Sequence, residues 1–199
     1  LGGLPDQSAG MGIDMSQRVA MFEDSLAIMR QLWAGKTVSH DRFWHLENAH
    51  IAPLPAQDIE VWIGATAPAA INRTARLAEG WLGTPSATPQ QAKEQLNQYR
   101  QACAEHQRTP SAVALRRDIF IAGSVNEAEA FRSHAVAKGY RGFPEEALIC
   151  GDVSQVAAQF AEFSEAGFTD IVVRNMSSDQ GQALATIEAL SDVRRQLNL

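Results

Sequence analysis

Short apolar runs alternate with capped helical segments along most of this chain, and that alternation restricts the fold more than any other feature. Residues 59–63 (Ile-Glu-Val-Trp-Ile) are a β-branched run stopping at Gly64, and an alanine-rich helical pattern follows from Ala69 to Ala78. Residues 80–84 read as the next strand. Thr88-Pro89-Gln90-Gln91 then supplies an N-cap, a proline at N1 and a glutamine at N3 for a helix to about Glu105. Residues 117–122 form a third strand, and Ser124 with Glu127 opens a helix through Ala137 that Gly139 stops. Residues 140–148 read as irregular and partly helical. Asp152 with Gln155 caps a helix bearing Val156, Phe160 and Phe163 on one face, ended by Gly167. Residues 169–174 make a last buried strand before an amphipathic helix over 183–197. Each parallel connection needs a crossover, and helices must cover a parallel sheet, so the pattern predicts an α/β fold.

Ahead of these units, Asp14 with Gln17 marks a helix start, and Val19, Phe22, Leu26, Met29 and Trp33 recur at helical steps until Gly35. Residues 36–57 are polar and aromatic, with Pro53 and Pro55, and read as an insertion segment with a short hairpin. The four strands, with residues 1–4 as a candidate remnant of a fifth, cannot close an eight-stranded barrel. The chain opens on Leu1 without a methionine, which leads us to expect further sequence upstream. One domain over 1–199 is the expectation for this length.

Charge and cysteine usage narrow the partners. A formal net charge of −6 offers no basic field for nucleic acid or anionic lipid. Cys103 and Cys150 stand in no metal or redox spacing and read as inert thiols, and no apolar run is long enough to span a bilayer. Together these suggest a cytoplasmic protein without membrane or nucleic-acid partners. The histidines His40, His45, His50, His106 and His134 form no ligand spacing with carboxylates or cysteines, so no metal is expected. Ser25 and Ser124 lie in no nucleophile elbow. Arg73 and Arg76 follow the turn described next and could reach it or be solvated, and Arg116 and Arg117 have no partner that the sequence reveals.

The turn Gly64-Ala65-Thr66-Ala67-Pro68 joins a strand end to a helix start. Small residues there let backbone amides approach an anion, the helix N-terminus adds partial positive charge, and Thr66 adds a hydroxyl. A phosphate suits it; an empty tight turn fits the local pattern equally well.

An ordered series of motifs carries a family resemblance over nearly the whole chain. It comprises Phe22-Glu23-Asp24-Ser25-Leu26 through Leu32-Trp33-Ala34-Gly35, then Pro53-Leu54-Pro55-Ala56-Gln57, Val61-Trp62-Ile63-Gly64-Ala65 and Ala78-Glu79-Gly80-Trp81. Gly151-Asp152 with Gln155-Val156-Ala157, and Glu165-Ala166-Gly167-Phe168-Thr169-Asp170, close it. The series resembles the luciferase-like monooxygenase family, with Glu79 where the family usually has aspartate. The resemblance implies the C-terminal part of a (β/α)8 TIM-type barrel, about strands 4/5 to 8, and a flavin-dependent oxidoreductase or monooxygenase acting on a small organic substrate. FMN, or alternatively a deazaflavin coenzyme, would lie at the barrel mouth, its phosphate on Gly64, Ala65, Thr66 and Ala67, with Gly2 and Gly3 close to the ring. The cofactor performs the redox step in such enzymes, and no acid/base pair is singled out here. Family members carry further strands upstream, so the chain is also expected to associate with itself or with the missing N-terminal half, and a non-catalytic, flavin-binding or self-associating protein is the rival reading.

Overall fold

A computed structural model of the chain describes residues 5–198. Its contacts divide it into two compact units, Leu1–Ile59 and Glu60–Leu199.

The first unit holds α1 (Pro5–Gly10), a 3-10 turn at Met15–Gln17, α2 (Arg18–Trp33) and a hairpin of β1 (Val38–His40) and β2 (Leu46–Ala49). The expected helix start at Asp14 is instead the cap of the 3-10 turn, where its carboxylate accepts from the Ser16 amide at 2.8 Å. The buried side of α2 centres on Leu26 and Ile28, while Met29, part of the expected apolar stripe, is 40% exposed. Gly35 follows α2 in a left-handed conformation (φ +73°), and a Cβ there would stand 3.0 Å from Leu54 Cδ1. The hairpin expected within 36–57 is present.

The second unit alternates β3 (Trp62–Gly64), α3 (Pro68–Leu77), β4 (Gly80–Gly83), α4 (Pro89–Glu105), β5 (Ala112–Ile121), α5 (Val125–Ala137), β6 (Leu148–Gly151), α6 (Val153–Ala166), β7 (Asp170–Asn175) and α7 (Gln180–Gln196). All its strand pairs are parallel, in the order β3-β4-β5-β6 with β7 beside β5. The long strand β5 organises the sheet. Its residues 112–115 pair with β4 and 118–121 with β6, while 114–119 pair with β7 along the other edge. Because β7 overlaps both registers, β4 and β6 share one edge of β5, and β6 continues the line of β4 past its C-terminal end.

Four sequence expectations change here. The strand expected at 117–122 begins at Ala112, because the weak β-formers Ala112 and Ala114 are held in the ladder by β4, which β7 joins on the other edge from Ala114. Residues 148–151, at and just after the segment read as irregular and assigned to no strand, are the strand β6, which gains its ladder only from the distant β5. The strand expected at 59–63 is shorter and later, with Ile59 46% exposed, and α7 starts at Gln180, capped by Asp179. The other caps fall where expected. Thr88 and Asp152 each form the reciprocal box with Gln91 and Gln155, and such caps contribute about 1 kcal/mol each. Ser124 accepts from the Glu127 amide, but Glu127 reaches past the cap to the Gly123 amide.

Alternate residues of β5 serve different layers. Val113, Leu115, Ile119 and Ile121 join Ile71, Tyr99, Phe160 and Val193 of the helices in one core around the fully buried Trp81. Phe120, on the other face, stacks on Phe131 of α5 at 3.8 Å beside Leu148, Cys150 and Met176. Cys103 and Cys150 are buried and unpaired, and burial pushes the Cys150 thiol up to about 11, which keeps it protonated and unreactive. Among the described residues no helix is long and apolar enough to cross a membrane.

Arg117 is a charge inside the first core. It is fully buried, its guanidinium lies 4.8 Å over the Phe163 ring, Nη1 donates to the Pro85 carbonyl at 3.4 Å, and Nη2 has no hydrogen-bond partner among the described residues. Desolvation lowers its pKa to about 10. Replacement by a flexible apolar chain removes the desolvation cost while filling the volume. Arg117→Met is therefore expected to leave stability unchanged or raise it by about 1–2 kcal/mol, as read from urea midpoints; a loss of that size would mean that the charge itself stabilises the fold.

Candidate functional site

The strand-to-helix turn lies where the parallel strands end. Gly64 closes β3, Ala67 is the N-cap of α3 with an extended backbone, and Pro68 is N1. Ala67 has no side-chain acceptor for the first amides of the helix, and its carbonyl accepts only from Ala70 and Ile71. The amides of Thr66, Ala67 and Ala69 therefore donate to no acceptor among the described residues. Gly64, Thr66 and Ala67 are exposed, whereas Ala65 is buried at 7%. The Ala65 carbonyl accepts a hydrogen bond from Trp81 Nε1 at 2.9 Å, and this buried bond holds the inner side of the turn to β4.

Gly64 is not demanded by the fold. Its φ lies outside the left-handed region, and the nearest atom to a Cβ built on it is the Leu82 carbonyl oxygen at 3.8 Å. A missing side chain that neither conformation nor packing requires leaves the start of the turn uncrowded.

A cavity of about 520 Å³ adjoins the turn. Thr66 and Pro68 bound one side, Thr84 and Ser86 after β4 another, and Gln95 of α4 a third, with the connection before β6 as a further wall. Thr84 Oγ1 and Ser86 Oγ lie 3.0 Å apart, and Gln95 Oε1 is a buried atom without a hydrogen-bond partner. Hydroxyls and an amide beside open backbone N–H groups suit a polar, hydroxylated ligand that ends in an anion. Sequence reading missed Thr84, Ser86 and Gln95. The first had been absorbed into a strand, and no local signal could have shown that α4 brings Gln95 to the turn.

Other candidates are scattered. Neither Arg73 nor Arg76 lines the cavity. His40 Nε2 lies 3.5 Å from Asp24, and His106 Nε2 lies 3.2 Å from Asn72 Oδ1, each engaged locally. Gly2 and Gly3 lie outside the described residues. Arg116, without a partner in the sequence reading, donates to Asp118 at 2.9 Å.

With this geometry in view, the comparison with known proteins is direct: the family model of the luciferase-like monooxygenases matches residues 1–144. The chain belongs to the luciferase-like monooxygenase family. Curated relatives include the F420-dependent glucose-6-phosphate dehydrogenase of Microbacterium testaceum, 31% identical over 81 residues that make up 40% of this chain and 24% of the relative. The phthiodiolone/phenolphthiodiolone dimycocerosates ketoreductase of Mycobacterium bovis is 28% identical over 173 residues, 83% of this chain and 44% of the relative. The chain thus spans less than half the length of these luciferase-like relatives. Among solved structures, the monooxygenase RslO1 of Streptomyces bottropensis superposes with a TM-score of 0.80 at 18% identity, covering all of this chain and 67% of that one. An F420-dependent secondary alcohol dehydrogenase gives 0.69 at 17% identity, over 90% and 63%. These likenesses establish the fold as part of a luciferase-like TIM barrel. Glu79, the departure from the family's usual aspartate, has a local use: Oε2 accepts from the Val61 amide at 3.0 Å and Oε1 lies 3.6 Å from Arg108.

Proposed function

We propose that this chain forms the phosphate-holding part of a flavin-dependent oxidoreductase or monooxygenase, with FMN, or alternatively a deazaflavin coenzyme, bound through its phosphate at residues 64–67. The observation carrying this reading is the exposed turn whose amides lack acceptors, at the C-terminal ends of parallel strands in a luciferase-like chain. Relatives named for F420 dependence and neighbours named as monooxygenases support the cofactor class and leave its member open. When bound, the coenzyme supplies the redox chemistry. The chain's own groups do the rest. The amides and the Thr66 hydroxyl hold the anion, the Trp81 bond keeps the turn from rotating, and Thr84, Ser86 and Gln95 offer partners to the polyol of the ligand.

Titration of the purified chain with FMN, and separately with a deazaflavin coenzyme, followed by flavin fluorescence, tests the reading. One of the two is expected to saturate, and Thr66→Ala to weaken it by roughly threefold to tenfold, the effect of one lost hydrogen bond. Saturation by neither coenzyme would end the proposal.

A further inference from the structure

The sheet face opposite α3, α4, α6 and α7 carries a charge cluster that the phosphate reading leaves unused. Register puts Gly64, Leu82 and Ala114 at one level on this face, followed by Arg116 beside Val172 and Asp118 beside Arg174. Because β4 ends at Gly83, opposite Leu115, Arg116 and Asp118 stand past the ends of β3 and β4, on the same rim as the turn. Strand spacing and rise place Arg116 roughly 12 Å from Gly64 along the sheet.

Asp118 is fully buried, yet it is surrounded by donors. Arg116 Nη2 donates to Oδ1 at 2.9 Å, the Tyr140 hydroxyl donates to Oδ2 at 3.0 Å, and Arg141 Nε lies 3.8 Å from Oδ2. Arg174, next to Asp118 in register, is exposed and has no carboxylate partner among the described residues. Three guanidiniums against one carboxylate leave two positive charges uncompensated within the cluster. The heads are not sealed in, since the side chains of Arg116 and Arg141 are 27% and 42% exposed.

The backbone adds an independent sign. Gly139 (φ +63°), Arg141 (φ +50°) and Gly142 (φ +69°) are all left-handed, and the middle position holds an arginine where glycine would be unstrained. The chain accepts that conformation while directing a guanidinium at Asp118. A surplus of forked donors on a buried carboxylate anchor, at the mouth of a strand-lined site, is suited to a second oxyanion.

We propose that Arg116 and Arg141, oriented by Asp118 and Tyr140, form with the neighbouring Arg174 an oxyanion-binding site that receives a carboxylate or phosphate group of the small molecule held at this rim. Calling that molecule a substrate rests on the cofactor reading above; the site itself does not.

The test measures thermal midpoints of the purified chain against inorganic phosphate and acetate, at ionic strength held constant with sodium chloride. Both anions are expected to raise the midpoint saturably, and Arg174→Gln and Arg141→Gln to weaken each by about tenfold, the effect of one charge-assisted contact, with unchanged circular dichroism. Gly64→Val should keep the acetate response, which separates this site from the turn. Retained FMN affinity in the arginine variants identifies the oxyanion as the substrate's, whereas parallel loss of FMN identifies it as the coenzyme's phosphate; either outcome upholds the site. Equal anion responses in parent and variants, or none beyond chloride, overturn it. Failure of FMN and deazaflavin to bind any form sinks the cofactor reading alone.

Discussion

Gly64→Val is expected to weaken coenzyme binding by about thirtyfold or more, the equivalent of roughly 2 kcal/mol for a phosphate denied one or two charge-assisted hydrogen bonds. The same variant should fold as the parent does. Gly64 has a backbone conformation that any residue adopts, and a Cβ there first meets the Leu82 carbonyl oxygen at 3.8 Å, an ordinary contact. Valine is also favoured in an extended strand end. The added methyls crowd the start of the turn that carries the Thr66 and Ala67 amides, so the expected loss arises from exclusion of the ligand. Gly64→Ala, adding one carbon in open space, should lose less. The measurement is a flavin fluorescence titration beside a thermal melt. An unchanged dissociation constant in Gly64→Val, with the melt intact, would move the phosphate elsewhere.

Trp81→Ala is expected to lower stability by about 3–5 kcal/mol, the range for emptying a large aromatic site in a core. Most small domains have only about 5–15 kcal/mol in total, so this variant should melt far below the parent. Trp81 is completely buried, with Tyr99 and Phe168 rings 5.3 Å and 6.1 Å away. Trp81→Phe separates packing from the hydrogen bond. It keeps most of the ring but leaves the Ala65 carbonyl without its donor, a loss of about 1–3 kcal/mol. Because that bond also holds the turn, coenzyme affinity should fall in Trp81→Phe more than stability alone requires. Urea denaturation and coenzyme titration of both variants decide the matter. A Trp81→Phe protein with the parent's midpoint and affinity would reduce Trp81 to core filling.

Much of the architecture was legible from local chemistry. Thr88 with Gln91 and Asp152 with Gln155 cap their helices as the sequence implies, because a cap is settled by residues three positions apart. Gly139 and Gly167 adopt the left-handed conformations that end α5 and α6. β6 was not legible. Leu148-Ile149-Cys150 is too short to announce a strand, and its ladder partner lies some thirty residues earlier, at Asp118 to Ile121. The start of β5 was hidden for a related reason, since Ala112 and Ala114 gain strand character only from ladder partners on β4 and, for Ala114, on β7.

The candidate site divides in the same way. Gly64, Ala65, Thr66 and Ala67 could be singled out because strand end, small residues and helix start are contiguous in the chain. Gln95, Thr84 and Ser86 join them only when α4 folds back against the strand ends. Trp81 stands in a strand that the sequence marks, but its bond to the Ala65 carbonyl depends on β3 and β4 lying side by side. Likewise Arg116 seemed partnerless, although Asp118 stands two residues away, because only a strand turns both side chains to one face and only the excursion through Tyr140 and Arg141 completes the cluster.

By itself, then, the amino-acid order determined the alternation of strands and helices and their caps, which rest on interactions between near neighbours, and it carried the motifs of the family and singled out the turn at residues 64–67. Tertiary structure alone decided which edge of β5 each strand occupies, how the cavity beside the turn is walled, and that two arginines meet one buried carboxylate with a third beside it in register. Those are contacts between distant segments, and their energy exists only once the sheet has assembled.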